Sequence, residues 1–213
     1  MLHLSLESLH TVLCLGAHPD DIEIGCGGTI LKLLDRHTDL DIHWVEFSGS
    51  EVRAQEARNS AAQFLAGARS KRVEVLQFKD SYFPYQGEKI KDHFEELKLS
   101  ISPDVIFTSY HHDLHQDHRL ISELTWNTFT NHLILEYEIP KWDGDMGAPN
   151  LFVHLTEKQY RDKVRYVLGN FKSQADQNWF CEQTFLALMR LRGMESNSPS
   201  DYAEAFYARK LTV

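Results

Sequence analysis

Two short stretches hold the residue types that metal-assisted hydrolysis needs. The first, Gly16-Ala17-His18-Pro19-Asp20-Asp21-Ile22-Glu23-Ile24-Gly25-Cys26-Gly27-Gly28-Thr29, joins one imidazole to two adjacent carboxylates through a stiff proline and continues into a glycine-rich run. The second, Ser109-Tyr110-His111-His112-Asp113-Leu114-His115-Gln116-Asp117-His118-Arg119, places four histidines within eight residues. Taken together, His18, Asp21 and His118 offer two imidazoles and a carboxylate. Three nitrogen or oxygen ligands with a position left open is the pattern of catalytic zinc, whereas structural zinc is closed by four protein ligands. The same mixed donor set accepts Fe2+ or another divalent ion. A cation so held lowers the pKa of its water to about 7 and polarises a carbonyl. Asp20 adjoins two of the ligands while facing elsewhere, which makes it the candidate base for that water.

Asp117, between two histidines, is expected to hold the imidazole of His115 in one tautomer and to favour its protonated form. Protonated His115 would then stabilise an oxyanion or deliver a proton to a leaving amine. A competing reading makes Asp117 the N-cap of the helix that follows. Arg53, at the start of a helical pattern near the same sheet edge, is a candidate substrate-binding residue, since a guanidinium binds a phosphate bidentately or donates to a sugar hydroxyl. Its alternative is a surface ion pair with Glu51 or Glu56. The glycines 25, 27 and 28 suit either a phosphate cradle at a helix N-terminus or close packing of helix against strand.

The elements that must position these residues follow from hydrophobic periodicity. Val12-Leu13-Cys14-Leu15 is an apolar run before the first motif, and Ile30-Leu31-Lys32-Leu33-Leu34 is a helical pattern after it. Strands are expected over 40–47, 73–78 and 104–108, and helices over 51–65, 89–100 and 120–129. Strand and helix in alternation imply right-handed crossovers and a doubly wound, Rossmann-like α/β fold, its sheet mostly parallel with helices on both faces. In that order the first and fourth strands are neighbours, and ligands bind at the carboxyl ends of the strands. Both motifs would therefore open at one rim. Further on, strands are expected over 132–139 and 151–155, helices over 156–171 and 177–192, and a closing helix over 201–209. The stretch Lys141-Trp-Asp-Gly-Asp-Met-Gly-Ala-Pro-Asn150 reads as an ordered loop. Within it, Trp142 is either a sugar-stacking surface or a core plug.

Composition narrows the field. The chain of 213 residues fits one domain, 1–213, and is 42% hydrophobic with a formal charge of −9. An acidic surface repels phosphate backbones, so nucleic acid is excluded as a partner. Three cysteines, Cys14, Cys26 and Cys181, build neither a disulfide framework nor a thiolate zinc cage, and the chain reads as cytoplasmic. The first ten residues lack the basic start and apolar core of a leader, and no run of about 18 apolar residues occurs that would span a membrane.

The motif Ala17-His18-Pro19-Asp20-Asp21 with Glu23 and Gly25-Cys26-Gly27-Gly28-Thr29, together with His115-Gln116-Asp117-His118, resembles the zinc-dependent N-acetylglucosaminyl deacetylases of the PIG-L or LmbE-like family. The likeness runs over roughly residues 11 to 130, with a weaker continuation in Ser173-Gln174 and Tyr202-Ala203-Glu204-Ala205-Phe206. It implies an LmbE-like fold and hydrolysis of an N-acetyl group from an amino-sugar derivative, a glycoconjugate, nucleotide sugar or metabolite. It also implies His18, Asp21 and His118 as zinc ligands, Asp20 as base and His115 as the acid or charge-stabilising group. The family admits a homo-oligomer, with neighbouring chains completing the site. Gln116 stands where the family often has proline, and Phe47-Ser48-Gly49-Ser50-Glu51 follows the family's usual Thr-x-Gly-Glu loosely. Two rival functions are a non-catalytic metal or sugar-binding module, which has no use for Asp20, and a dinucleotide-binding oxidoreductase, whose G-x-G-x-x-G spacing is absent.

Overall fold

A computed structural model describes residues 4–6 and 9–212. Met1–His3, Glu7 and Ser8, on which the expectation of no leader partly rests, lie outside the described residues. The strands are β1 (Thr11–Gly16), β2 (Asp41–Ser48), β3 (Ser70–Phe78), β4 (Val105–Ser109), β5 (Leu133–Tyr137), β6 (Leu151–His154) and β7 (Ala203–Ala208). They form one sheet in the order β3-β2-β1-β4-β5-β7-β6. The first five positions of that order are parallel, and β7 runs antiparallel to both β5 and β6.

Buried side chains alternate between the two sheet faces. Val12 and Cys14 of β1 join one apolar cluster, and Leu13 and Leu15 join the other. This is the period-two signature of strands covered on both sides. The first face carries α1 (Asp21–Arg36), α2 (Glu51–Phe64), α5 (Glu157–Asn170) and α6 (Glu182–Glu195). The second carries α3 (Gly87–Ser100) and α4 (Gln116–Thr128). The fold is thus the doubly wound α/β architecture expected from the alternation, with β1 beside β4 at the point where strand order reverses.

The glycine-rich run serves packing. A Cβ on Gly25 would lie 2.2 Å from the ring of Tyr137, so only glycine lets α1 lie this close to β5.

Two expectations fail in the last third. The closing helix over 201–209 is instead the strand β7. Its alanines and glutamate favour helix, but the slot between β5 and β6 supplies ladder partners on both sides, and pairing overrides propensity. The helix expected from Gln177 begins at Glu182 and runs through Gly193 to Glu195. Gly193 is needed there because a Cβ would stand 2.0 Å from the backbone oxygen of Asp201.

Candidate active site

β1 ends at Gly16, and four residues, Ala17 to Asp20, carry the chain to α1. Ser48, at the end of β2, fixes that connection by donating both its backbone N–H (3.0 Å) and its hydroxyl (2.9 Å) to the carbonyl of Ala17. Asp20 then opens α1 at φ +99°, a left-handed conformation that costs a non-glycine residue about 1–3 kcal/mol and is kept only where the surroundings enforce it. Its carboxylate makes no capping bond to the helix. It faces Arg53 at the start of α2, whose Nη2 lies 3.1 Å from Asp20 Oδ2 and also donates to the carbonyl of Pro19.

Three ligand atoms converge beside Asp20. His18 Nδ1 lies 3.2 Å from His118 Nε2 and 3.6 Å from Asp21 Oδ2, and His118 Nε2 lies 3.3 Å from the same oxygen. Bonds of about 2.0–2.1 Å in a tetrahedron put ligand atoms about 3.3 Å apart, so this triangle has the size of one zinc face. Asp21 Oδ2 is held in place by the backbone N–H of His18 at 2.9 Å. A ring nitrogen of His115 lies within 4.8 Å of the ring nitrogens of His18 and His118.

Each imidazole is backed by carboxylates on its far nitrogen. His18 Nε2 lies 3.2 Å from Asp80 and 3.3 Å from Asp117. His118 Nδ1 meets Asp113 at 2.9 Å, and Lys141 Nζ lies 2.9 Å from the same Asp113 oxygen. Carboxylates behind metal-ligating imidazoles orient the rings and raise their basicity. Burial opposes a charge on either ring, yet Asp117, Asp21 and Asp80 raise the pKa of His18 well above its ordinary value. For His118, burial is likewise overcome by Asp21 and Asp113, and the pKa reaches about 9. Asp21 goes the other way: burial disfavours its charge, but His118 and His18 hold it well below the carboxylate range. The pocket is built to receive positive charge, and the residues fit a divalent cation.

Asp20 differs from its neighbour. Burial lifts its pKa, Arg53 partly opposes the rise, and the result is about 7. Such a carboxyl can take a proton near neutrality.

The expected partnership of Asp117 with His115 is not found. The Asp117 carboxylate accepts the backbone N–H groups of Ser81 (2.6 Å) and Phe83 (3.1 Å) and reaches His18, while only its backbone N–H donates to His115 Nδ1, at 3.3 Å. His115, not Asp117, is therefore the N-cap of α4. Burial, followed by the His118 and His18 charges, lowers the pKa of His115, so this ring is neutral rather than protonated. With Nδ1 accepting, its proton resides on Nε2.

Arg53 does reach the site, through Asp20 and Pro19, and pairs with neither Glu51 nor Glu56. Asp80, Asp113 and Lys141 were not singled out by sequence. Asp113 lies inside the histidine-rich segment, and its acidity among histidines was a usable signal. Asp80 and Lys141 arrive through long-range folding alone.

Comparison with known proteins settles the ancestry of this arrangement. Residues 13–129, more than half of the chain, match the family described as PIG-L, GlcNAc-PI de-N-acetylase. The chain belongs to the PIG-L family. A diacetylchitobiose deacetylase of Thermococcus kodakarensis is 35% identical over 95 residues, which are 38% of this chain and 34% of that enzyme. The match thus spans about a third of that relative's length. The N,N'-diacetylchitobiose deacetylase structure from Pyrococcus horikoshii superposes with a TM-score of 0.70 at 23% identity, covering 95% of this chain and 85% of that one. GalB, the 4-carboxy-2-hydroxymuconate hydratase of Pseudomonas putida, superposes with a TM-score of 0.73 at 15% identity, covering 96% and 98%. At these identities the structures share the fold, and PIG-L membership rests on the sequence match. No helix among the described residues is long and apolar enough to cross a membrane.

Proposed function

We propose that this PIG-L chain is a metal-dependent N-deacetylase that removes the acetyl group from an amino-sugar derivative. The observation that carries the reading is the triangle of His18 Nδ1, Asp21 Oδ2 and His118 Nε2 beside a separate carboxyl, Asp20, whose pKa is raised to about 7. Residues 1–213 are taken as one domain, in keeping with the single sheet.

His18, Asp21 and His118 would hold the cation, with zinc the first choice and Fe2+ the second. Bound there, the cation polarises the acetamide carbonyl and acidifies water. Asp20 accepts the proton released as the water oxygen bonds to the carbonyl carbon. Arg53 fixes the Asp20 carboxylate and keeps part of it ionised. Neutral His115 donates its Nε2 proton as a hydrogen bond to the oxyanion. The C–N bond then breaks, the amine nitrogen recovers a proton from Asp20, and acetate and a free amino sugar leave. Asp117, Asp80 and Asp113 act through the two imidazoles as orienting groups. A binding module would need no such base, and its presence favours the enzyme. The three cysteines are free, which suits the cytoplasm, where we place the protein.

Acetate release from N-acetylglucosamine and N,N'-diacetylchitobiose by the zinc-loaded protein, with chelated protein and Asp20→Asn as controls, tests the proposal. Acetate is expected from the loaded wild type alone. Tight zinc binding with no acetate from any N-acetylated sugar would favour the binding module.

A further inference from the structure

Asp80 meets His18 Nε2 at 3.2 Å although its side chain is 69% exposed. The chain around it is no better packed: Lys79 to Tyr82, which open the crossover from β3 to α3, are all exposed, and burial resumes at Phe83. These four residues form a turn closed by the Tyr82 N–H on the Lys79 carbonyl at 3.2 Å. Its third residue, Ser81, stands at φ +64°, a left-handed conformation that favours glycine and that a serine keeps under constraint. With no apolar burial in the turn, the constraint has to come from hydrogen bonds.

Both backbone groups of Ser81 are grasped by the first turn of α4. The carbonyl accepts from Gln116 Nε2 at 2.5 Å, and the N–H donates to Asp117 Oδ2 at 2.6 Å. The Ser81 hydroxyl in turn donates to Asp80 Oδ1 at 3.0 Å, the same oxygen that faces His18 Nε2. Asp117 also stands directly behind His18. Gln116 is uncharged, and its amide reaches His18 by way of Ser81 and Asp80. An exposed carbonyl that trades water for a neutral amide gains little folding stability. What the Gln116 bond supplies is the shape of the turn.

We propose that Gln116 is a positioning residue for the cation site: by holding the Ser81 carbonyl it locks the turn at residues 79–82 that delivers the Asp80 carboxylate to His18 Nε2. The exposed Asp80 would otherwise sample water, and His18 would lose one of the two carboxylates that orient its ring toward the cation. This inference rests on the reading of His18, Asp21 and His118 as the ligands of a deacetylase, and adds to it a side-chain amide that tunes the cation from two residues away in space.

Two substitutions separate the hydrogen bond from the bulk of the side chain. Gln116→Met keeps the length and removes the donor, whereas Gln116→Lys keeps a donor of similar reach. Zinc affinity, measured by chelator competition, should fall about tenfold in Gln116→Met and stay within about twofold of wild type in Gln116→Lys. In an Asp80→Ala background, which lacks the carboxylate that the turn delivers, Gln116→Met should add no further loss. The visible spectrum of cobalt-loaded protein should change in Gln116→Met as it does in Asp80→Ala, while the thermal midpoint of the chelated variants stays near the wild-type value. An affinity unchanged in Gln116→Met, an equal loss in Gln116→Lys, losses that add in the Asp80→Ala background, or a fallen midpoint without a change in affinity each overturn the positioning role. A wild type that binds zinc and shows the expected pattern of affinities but releases no acetate from N-acetylated sugars overturns the deacetylase reading instead.

Discussion

Asp20 and Asp21 are adjacent, equally buried and chemically identical, yet the structure shifts their pKa values in opposite directions. Asp21 faces two imidazoles and stays ionised, whereas Asp20 has one guanidinium and is raised to about 7. Environment assigns one carboxyl to the cation and the other to the proton. Arg53 tunes this division. Removing its charge in Arg53→Met leaves the desolvation of Asp20 unopposed and raises its pKa. A base works only when ionised, so the acid limb of the kcat/KM profile should move up by about one pH unit, with Arg53→Lys between. An unmoved limb would show that another group is the base. His115 makes the second residue-scale prediction. Held neutral with its proton on Nε2, it donates to an oxyanion that exists only after attack. His115→Ala should lower kcat about 10²–10³-fold with zinc content and KM little changed, as steady-state kinetics and metal analysis would show.

At the scale of elements, α1 is held in place by a charge pair sunk beneath it. Lys163 of α5 donates to the carbonyl of Ile24 (2.6 Å) and to Glu204 of β7 (2.6 Å). Glu204 in turn accepts the backbone N–H groups of Gly28 (2.9 Å) and Thr29 (2.6 Å) and the Thr29 hydroxyl (2.6 Å). Two elements far apart in sequence, α5 and β7, thereby set the position of the helix that presents Asp20 and Asp21. Lys163→Met strands the Glu204 charge in a buried pocket and should cost about 3–5 kcal/mol in urea unfolding. Adding Glu204→Gln should restore part of that loss, a coupling that independent sites would not show. This network also explains what sequence could and could not reveal. β1, β2 and β4 are largely continuous apolar runs, as strands covered on both faces are, and the His18 and His118 motifs sit directly at strand ends, so their meeting at one rim followed from topology. Ala203–Ala208 carries no strand signal of its own, because its conformation is dictated by β5 and β6 on either side. The partners of Asp117 were equally hidden. Its carboxylate answers the N–H groups of Ser81 and Phe83, which the crossover after β3 brings across the sheet, and no local pattern encodes that contact.

Across the whole molecule, an acidic chain gathers Asp21, Asp80, Asp113 and Asp117 around two histidines, so cation binding and folding are linked. In metal-free protein those carboxylates hold protons on His18 and His118 instead. With the pKa of His118 raised to about 9, its proton contributes stability that is fully present below about pH 6.5 and is lost as pH rises through about 9. A cation needs the same nitrogens unprotonated, so its binding releases protons and strengthens with pH. The two dependences have opposite sign. The thermal midpoint of chelated protein should therefore fall between pH 6 and 9, while the increment produced by zinc should grow over the same range. At a zinc concentration about 100 times the dissociation constant, the increment corresponds to about 2.7 kcal/mol, or about 5–10 °C for a chain of this size. Asp21→Asn should abolish it by removing a ligand. Asp113→Asn should keep the ligands, weaken zinc about 10–100-fold by loosening His118, and shrink the increment at fixed zinc. Scanning calorimetry at several pH values, with and without zinc, separates these outcomes, and an increment independent of pH would mean that the cation binds away from the two imidazoles.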